Sequence, residues 1–306
     1  MTTNHTADHS GKKSTHYQSI YRSSLFEQKT IIVTGGGSGI GRCTAHELAS
    51  LGATVILIGR KLEKLHTIAQ EITEDGGKVD CFACDIREEA AVQDTIKTII
   101  KTHPVIHGLV NNAGGQFPSP LTGINQKGWE TVVRTNLTGG FLMAKEVYLK
   151  SMSKHGGSIV NIVADMWGGM PSMGHSGAAR AGMVNFTQTA SVEWAPSGVR
   201  VNAVAPGWVA SSGMDSYPES MKPWIINLRE AVPLKRLGTE SEVSSAICFL
   251  LSDGAGFVSG DCLRVDGAAS QGGRVAPLPA AKNSESYDGF HRSVIPKIFQ
   301  TDTTDE

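Results

Sequence analysis

The segment GHSGAARAG, residues 174–182, places Ser176 and Arg180 four positions apart among residues too small to fill a core. On a helix that spacing puts both side chains on one face, one turn apart. A serine hydroxyl is a hydrogen-bond donor but a poor acid, and a guanidinium keeps its charge. The pair therefore suits holding an anionic group or stabilising a developing oxyanion, not releasing a proton. Asp165 and His175 are the nearby residues able to deliver a proton, directly or through water. Each has a structural alternative, His175 as a residue of the helix start and Asp165 as its cap. The string GHSGA approaches the nucleophile elbow G-x-S-x-G, but Ala178 breaks it and only His291 follows Ser176, so a serine hydrolase is excluded.

A second cluster, TGGGSGIG at Thr34–Gly41, follows the apolar run TIIVT and opens an amphipathic stretch. There the backbone N–H groups of Ser38, Gly39, Ile40 and Gly41, together with the helix dipole, can meet a pyrophosphate, and Gly35, Gly39 and Gly41 allow close approach. The spacing is T-G-x-x-x-G-x-G, not G-x-G-x-x-G. After the second apolar run the chain reads ILIGRKLEK, with Gly59 and Arg60 where an NAD site usually presents an acid to the ribose. Arg60 can grip a 2'-phosphate bidentately, with Lys61 nearby and the Ser38 hydroxyl adding a bond, so NADP(H) is the expected cofactor.

These groups need a scaffold. Apolar strand-like runs TIIVT, TVILIG, KVDCFACD, HGLVNN, GSIVNIV and VRVNAVAP alternate with helix-period segments: Ile40 to Leu51, Leu62 to Ile72, Val92 to Ile99, residues 127–153 and residues 176–194. Such alternation predicts βαβ units and an α/β, Rossmann-type, doubly wound parallel sheet in a single domain, with ligands beyond the carboxyl ends of the strands. Residues 1–27 read as a polar arm lying on the surface or disordered, 28–270 as the nucleotide-binding catalytic domain, and 271–306 as a Pro-, Gly- and Ser-rich extension. That extension ends in a weakly amphipathic piece at Phe290, Val294 and Ile298. Trp167 and Met170 read as a pocket wall or as core filling.

Composition narrows the partners. The chain has 28 basic and 29 acidic residues and no Lys/Arg stripe, which excludes a nucleic-acid or anionic-membrane partner and leaves small molecules. No apolar run approaches a membrane span and the N-terminal stretch lacks a signal-like apolar segment, so a cytoplasmic location is expected. Five cysteines, Cys43, Cys81, Cys84, Cys248 and Cys262, are expected as buried reduced thiols. The C-x-x-C of CFACD lies in a strand-like run with no second pair, so no metal site is expected.

Taken together, TGGGSGIG, NNAG at 111–114, Asn136 in TNLTG and VRVNAVAPGWV at 199–209 resemble the short-chain dehydrogenase/reductase family over residues 28–270. The resemblance implies that Asp85 and Ile86 flank the adenine and that Asn112, Ala113 and Gly114 line the cofactor channel. It likewise implies that Pro206, Gly207 and Val209 contact the nicotinamide, with Ser211 near its carboxamide or the diphosphate. The family's acid pair is a Tyr and a Lys four residues later, preceded by a Ser at a strand end. Aligning ARAG with the family's AKAG puts Ser176 and Arg180 in those two places, and NIVADMW lacks the Ser, so only Asn136 of the standard groups stands. Arg180 would then also hold the nicotinamide ribose, and Asn136 would position a water or donate to the substrate.

The segments NNAGGQFPSP, KGW, TNLTG, KHGGSIVNI, HSGAARAG and EVSSAICFLL are similar to peroxisomal trans-2-enoyl-CoA reductases and their bacterial relatives. A bacterial branch associated with breakdown of acyclic terpenoids such as citronellol is similar as well, and the 2,4-dienoyl-CoA reductases also carry a Ser for the Tyr but keep the Lys. The C-terminal TDTTDE is not a peroxisomal signal. This resemblance implies an NADP-dependent enoyl-CoA reductase of fatty-acid metabolism, taking a small acyl-thioester and assembling as a homotetramer or homodimer through the small-residue helix. Two further readings stay open: an NADP-dependent alcohol or carbonyl dehydrogenase for a hydrophobic, terpenoid-like substrate, and a non-catalytic NADP-binding protein.

Overall fold

In the computed structural model, which describes residues 14–217, 219–271 and 283–300, seven strands pair in parallel. They are β1 (Thr30–Thr34), β2 (Thr54–Gly59), β3 (Lys78–Ala83), β4 (Gly108–Asn111), β5 (Gly157–Ile162), β6 (Val199–Pro206) and β7 (Cys262–Val265), in the order β3-β2-β1-β4-β5-β6-β7. Ile32, Val33, Val55, Ile56, Leu57 and Ile58 are fully buried, as unbroken apolar runs must be when helices cover both faces. Ile31 and Val33 face α1 (Gly39–Ser50), α2 (Leu62–Glu74) and α9 (Glu240–Leu251), while Ile32 faces α3 (Glu89–Thr102), α5 (Gly139–Val147) and α7 (Gly174–Glu193). Strand order reverses between β1 and β4, which opens a crevice at their carboxyl ends, where a doubly wound sheet binds ligands.

The helix expected over residues 127–153 is a composite. Asn125 caps α4 (Gln126–Val133) by accepting the Gly128 N–H at 2.8 Å, and π-helical turns at Arg134–Thr138 and Tyr148–Met152 lead into α5 and α6 (Ser153–His155). The first widened turn buries Asn136. On the other side of the sheet Thr239 and Glu242 form a reciprocal capping box at the start of α9, and a ten-residue helix, α8 (Lys222–Ala231), stands over the end of β6.

Both extensions are fastened to the domain where they are described. The arm is anchored rather than loose: Tyr17 and Phe26 are buried, and Glu47 inside α1 accepts from the Tyr17 hydroxyl at 3.2 Å and the Ser19 hydroxyl at 2.8 Å. Its first thirteen residues lie outside the described ones, as do 272–282 and 301–306 of the C-terminal extension. The tail piece is largely irregular, with a 3-10 turn at Lys297–Phe299 after Pro296. Phe290 is buried, 5.7 Å from the Tyr17 ring and 4.9 Å beneath the Arg42 guanidinium, Ile298 is half-buried against Met214, Ile225 and Leu228, and Val294 stays exposed. The five cysteines are free, and β3 ends at Ala83, so Cys84 lies past the strand. Burial pushes the Cys81 thiol up to about 11, which leaves it protonated and unreactive at neutral pH.

Candidate active site

The phosphate loop and the loop after β4 are fastened across the switch crevice by one threonine. Thr34 Oγ1 accepts from the backbone N–H groups of Asn112 and Ala113, both at 3.0 Å, and donates to Val110 O, while Asn112 Nδ2 donates to Thr34 O. Gly35 and Gly39 hold φ of +67° and +58°, a left-handed conformation that penalises any side chain. A Cβ on Gly41 would strike Asn112 Nδ2 and Gly35 O, and one on Gly114 would meet Arg180 Nη2 at 2.5 Å and Asn136 Oδ1 at 2.8 Å. The result is a channel floored by bare backbone, of the shape a dinucleotide requires.

That channel has two connected parts. The first runs between Ser38, Gly59 and Arg60 on one side and Asp85, Ile86, Arg87, Asn112, Ala113 and Gly114 on the other. The second shares Asn112 and Gly114 and continues past Ile40, Val163, Arg180, Pro206, Gly207, Val209 and Ser211 to Tyr217. The expected cofactor residues thus converge, apart from Lys61, which is exposed at the head of α2, and Gly39 and Gly41, which sit behind the channel at the start of α1. The turn at Gly207 is tight, since a Cβ there would lie 2.8 Å from Asp266 Cα, and Val209 bridges to Gly238.

Arg87 is a residue the sequence did not single out. Its guanidinium grips Asp85 at 2.9 and 2.5 Å, and this bond holds the Asp85 carboxyl below its ordinary range. Arg60 stands exposed at the same rim and adds to that effect on Asp85, so the mouth carries two guanidinium groups against one carboxylate.

Arg180 is the electrostatic centre of the second part. Its Nη1 donates to Ile162 O at 2.5 Å, and among the described residues its buried Nε has no partner and no carboxylate offsets its charge. Burial lowers its pKa to about 10, so the charge persists at neutral pH. An uncompensated cation beside a bare backbone channel fits an anionic or hydroxyl-rich ligand. Among the described residues no group of three His, Cys, Asp or Glu is placed to hold a metal, and no helix is long and apolar enough to cross a membrane.

Ser176 shares the Arg180 face of α7 but is fully buried. Its hydroxyl donates to Gln116 Oε1 at 2.7 Å, and Gln116 Nε2 donates onward to the Tyr217 hydroxyl at 3.2 Å. Gln116 and Tyr217 line the channel where Ser176 does not. Asn136 is held by one loop residue, accepting from Gly115 N at 2.9 Å and donating to Gly115 O at 2.8 Å, so it sets the course of the loop that carries Gln116.

The two suggested proton carriers stand apart from this set. His175 is fully buried, its Nδ1 accepts the Ser176 N–H at 2.9 Å, and its ring meets Phe117 edge-on at 4.5 Å. Asp165 leaves β5 toward the ends of β6 and β7, its N–H donating to Pro206 O at 3.3 Å, where burial and the Asp266 carboxylate raise its pKa and Arg264 opposes them. Neither residue lines the channel, and Asp165 does not cap α7, whose start carries no side-chain cap. Trp167 does not line this channel either; its ring centroid lies 3.8 Å from the Arg264 guanidinium.

Comparison with known proteins agrees with this geometry. A family model described as enoyl-(acyl carrier protein) reductase matches residues 35–270. The protein named "Probable 2,4-dienoyl-CoA reductase [(2E)-enoyl-CoA-producing]" of Bacillus subtilis is 38% identical over 245 residues, covering 79% of this chain and 96% of its own. The peroxisomal 2,4-dienoyl-CoA reductase [(3E)-enoyl-CoA-producing] of Danio rerio is 35% identical over 258 residues, covering 83% of this chain and 85% of its own. Among solved structures, a citronellol catabolism dehydrogenase of Pseudomonas aeruginosa is 65% identical with a TM-score of 0.76, covering 83% of this chain and 100% of its own. A switch-point channel floored by glycine, a parallel seven-stranded sheet and matches of this extent together make the chain a member of the short-chain dehydrogenase/reductase family, oxidoreductases that bind NAD(P)(H).

Proposed function

We propose that this chain reduces the 2,3 double bond of an enoyl thioester with NADPH. The observation that carries the reading is that Ser176, in place of the phenol, is buried behind Gln116, while Arg180, in place of the amine, is uncompensated and, among the described residues, the one full positive charge lining the inner part of the channel. Carbonyl reduction places a proton on oxygen as hydride arrives and needs a positioned acid. Saturating a conjugated double bond places hydride on C3, gathers charge on the thioester oxygen and protonates C2. The oxygen then needs positive potential and neutral donors, which Arg180 and the Gln116 amide face the channel to supply.

Reduced nicotinamide, when bound, supplies the hydride. The bare backbone of Gly35 and Gly114, with Asn112 and Ala113, suits its dinucleotide, and the unpartnered Arg180 Nε suits its ribose. Arg60, with Ser38 beside it and Lys61 at the rim, is assigned to the 2'-phosphate. Asp85 and Ile86 border the adenine end, and Pro206, Gly207, Val209 and Ser211 the nicotinamide end. The dienoyl-CoA relatives support a thioester substrate.

A second reading, oxidation of a hydrophobic alcohol, is favoured by the 65% identity to a citronellol catabolism dehydrogenase. A panel of enoyl-CoAs, ketones and terpenoid alcohols, followed by NADPH loss or gain, separates the two. The proposal includes a cytoplasmic homotetramer or homodimer closed through the α5–α7 face. Phe141, Leu149 and Val192 are exposed there beside the aromatic ladder Phe141, Phe186, Trp194 and Tyr148. Analytical ultracentrifugation of the wild type and Val192→Glu tests that assembly.

A further inference from the structure

The family's phenol is missing at position 176, yet the channel contains another. Tyr217 lies in the segment between β6 and α8, with its ring against the apolar cluster of Met214, Ile225 and Leu228 and its hydroxyl turned to the channel. The hydrogen bonds fix the direction of every proton in the row. Ser176 donates to Gln116 Oε1, so the Gln116 amide must present Nε2 to Tyr217, and Nε2 has only hydrogens to give. The Tyr217 oxygen therefore accepts. Its own hydrogen has no acceptor among the described residues, so it is free to be given to a molecule in the channel.

We propose that Tyr217 is the acid that protonates C2 of the substrate, aligned by Gln116 with Ser176 behind it. The inference rests on the enoyl-thioester reading above. Hydride from the reduced nicotinamide forms the C3–H bond and the C2–C3 π pair shifts to leave an enolate on the thioester oxygen. The enolate collapses to the C=O as its pair takes the Tyr217 proton at C2, and the phenolate regains a proton from solvent. Arg180, on the same channel, stabilises both the enolate and the transient phenolate. Tyr217 comes from the wall opposite α7, so the proton arrives across the channel and not from the helix that carries the family's acid.

The test is Tyr217→Phe, which keeps the ring in its apolar cluster and removes only the hydroxyl. Reduction of trans-2-decenoyl-CoA is run in D2O, and the face of C2 that acquires deuterium is read by NMR. A positioned acid is worth about 10²- to 10⁴-fold, so turnover should fall at least about 10²-fold, with NADPH binding by fluorescence titration unchanged. The wild type should deuterate one face of C2 and the variant both. A variant within threefold of wild type overturns the assignment, as does a slowed one that still labels the same single face, because the hydroxyl would then only hold the segment in place. A wild type that reduces no enoyl thioester overturns the functional reading and this assignment together, an outcome distinct from either of those.

Discussion

Ser176 and Gln116 are joined by a 2.7 Å hydrogen bond from the serine hydroxyl to the amide oxygen, tying α7 to the loop after β4. In the proposed mechanism the residue standing where the family keeps its acid acts through this neighbour.

Two residues acting as one unit give non-additive losses. Ser176→Ala and Gln116→Leu should each lower turnover by about 10²-fold, the range for losing one oxyanion donor, with NADPH affinity nearly intact. The double variant should be no worse than either single one. Steady-state kinetics on the three proteins checks this, and multiplicative losses would show that the two side chains act separately.

Among the described residues Arg180 has an orphan buried Nε and no carboxylate partner, which costs folding free energy that, in the proposed site, the bound cofactor recovers. Arg180→Met should therefore leave the thermal midpoint of the ligand-free protein unchanged or raised, while weakening NADPH binding and turnover together. A variant that melts several degrees lower would assign the guanidinium a structural role through its bond to Ile162 O.

Arg60 stands at the channel rim with no side-chain hydrogen-bond partner among the described residues, whereas Arg87 is already paired with Asp85. A charged hydrogen bond contributes about 1.5–3 kcal/mol, so Arg60→Ala should weaken NADPH by roughly 10- to 150-fold and leave NADH almost untouched. Isothermal titration with both cofactors decides the matter, and equal losses for the two remove Arg60 from the 2'-phosphate.

Glu240, at the start of α9, has its Oε1 only 3.9 Å from where a Cβ on Gly39 would stand, so its charge bears on the phosphate loop. Burial raises its carboxyl from the ordinary 4.5 to about 7, with Asp288 adding and Arg42 opposing. The folded state prefers the neutral acid. The stability Glu240 contributes is therefore complete below about pH 4.5 and is lost as pH rises through about 7. Ionised, it also repels a diphosphate, so NADPH affinity should decline between pH 6 and 8 in the wild type and much less in Glu240→Gln, about 6 to 8 being the span around that pKa. Parallel pH profiles for the two proteins would contradict this role.

The features legible in the sequence are the ones set by short-range geometry. The buried strands announce themselves as unbroken apolar runs, the glycine loop by its place between strand and helix, and Ser176 with Arg180 by their four-residue spacing. The Gln116–Tyr217 bond joins residues 101 positions apart, brought together only when β6 closes beside β5, and no local pattern marks either one. The same holds for Phe290, whose burial depends on Tyr17 and Arg42 and not on any periodicity of its own segment. Asp165 misled because its distance along the chain from Ser176 is short, while the end of β5 carries it toward Asp266 and Arg264.

The central claim is tested most directly by the fate of hydride. Wild-type enzyme is given NADPH deuterated at the transferring carbon, together with crotonyl-CoA and trans-2-decenoyl-CoA, and the products are read by mass spectrometry and NMR. The account predicts saturated acyl-CoA carrying one deuterium at C3, with ketones and citronellol-like alcohols turned over slowly or not at all. Unchanged enoyl-CoAs beside brisk oxidation of those alcohols with NADP would contradict it and establish the dehydrogenase instead.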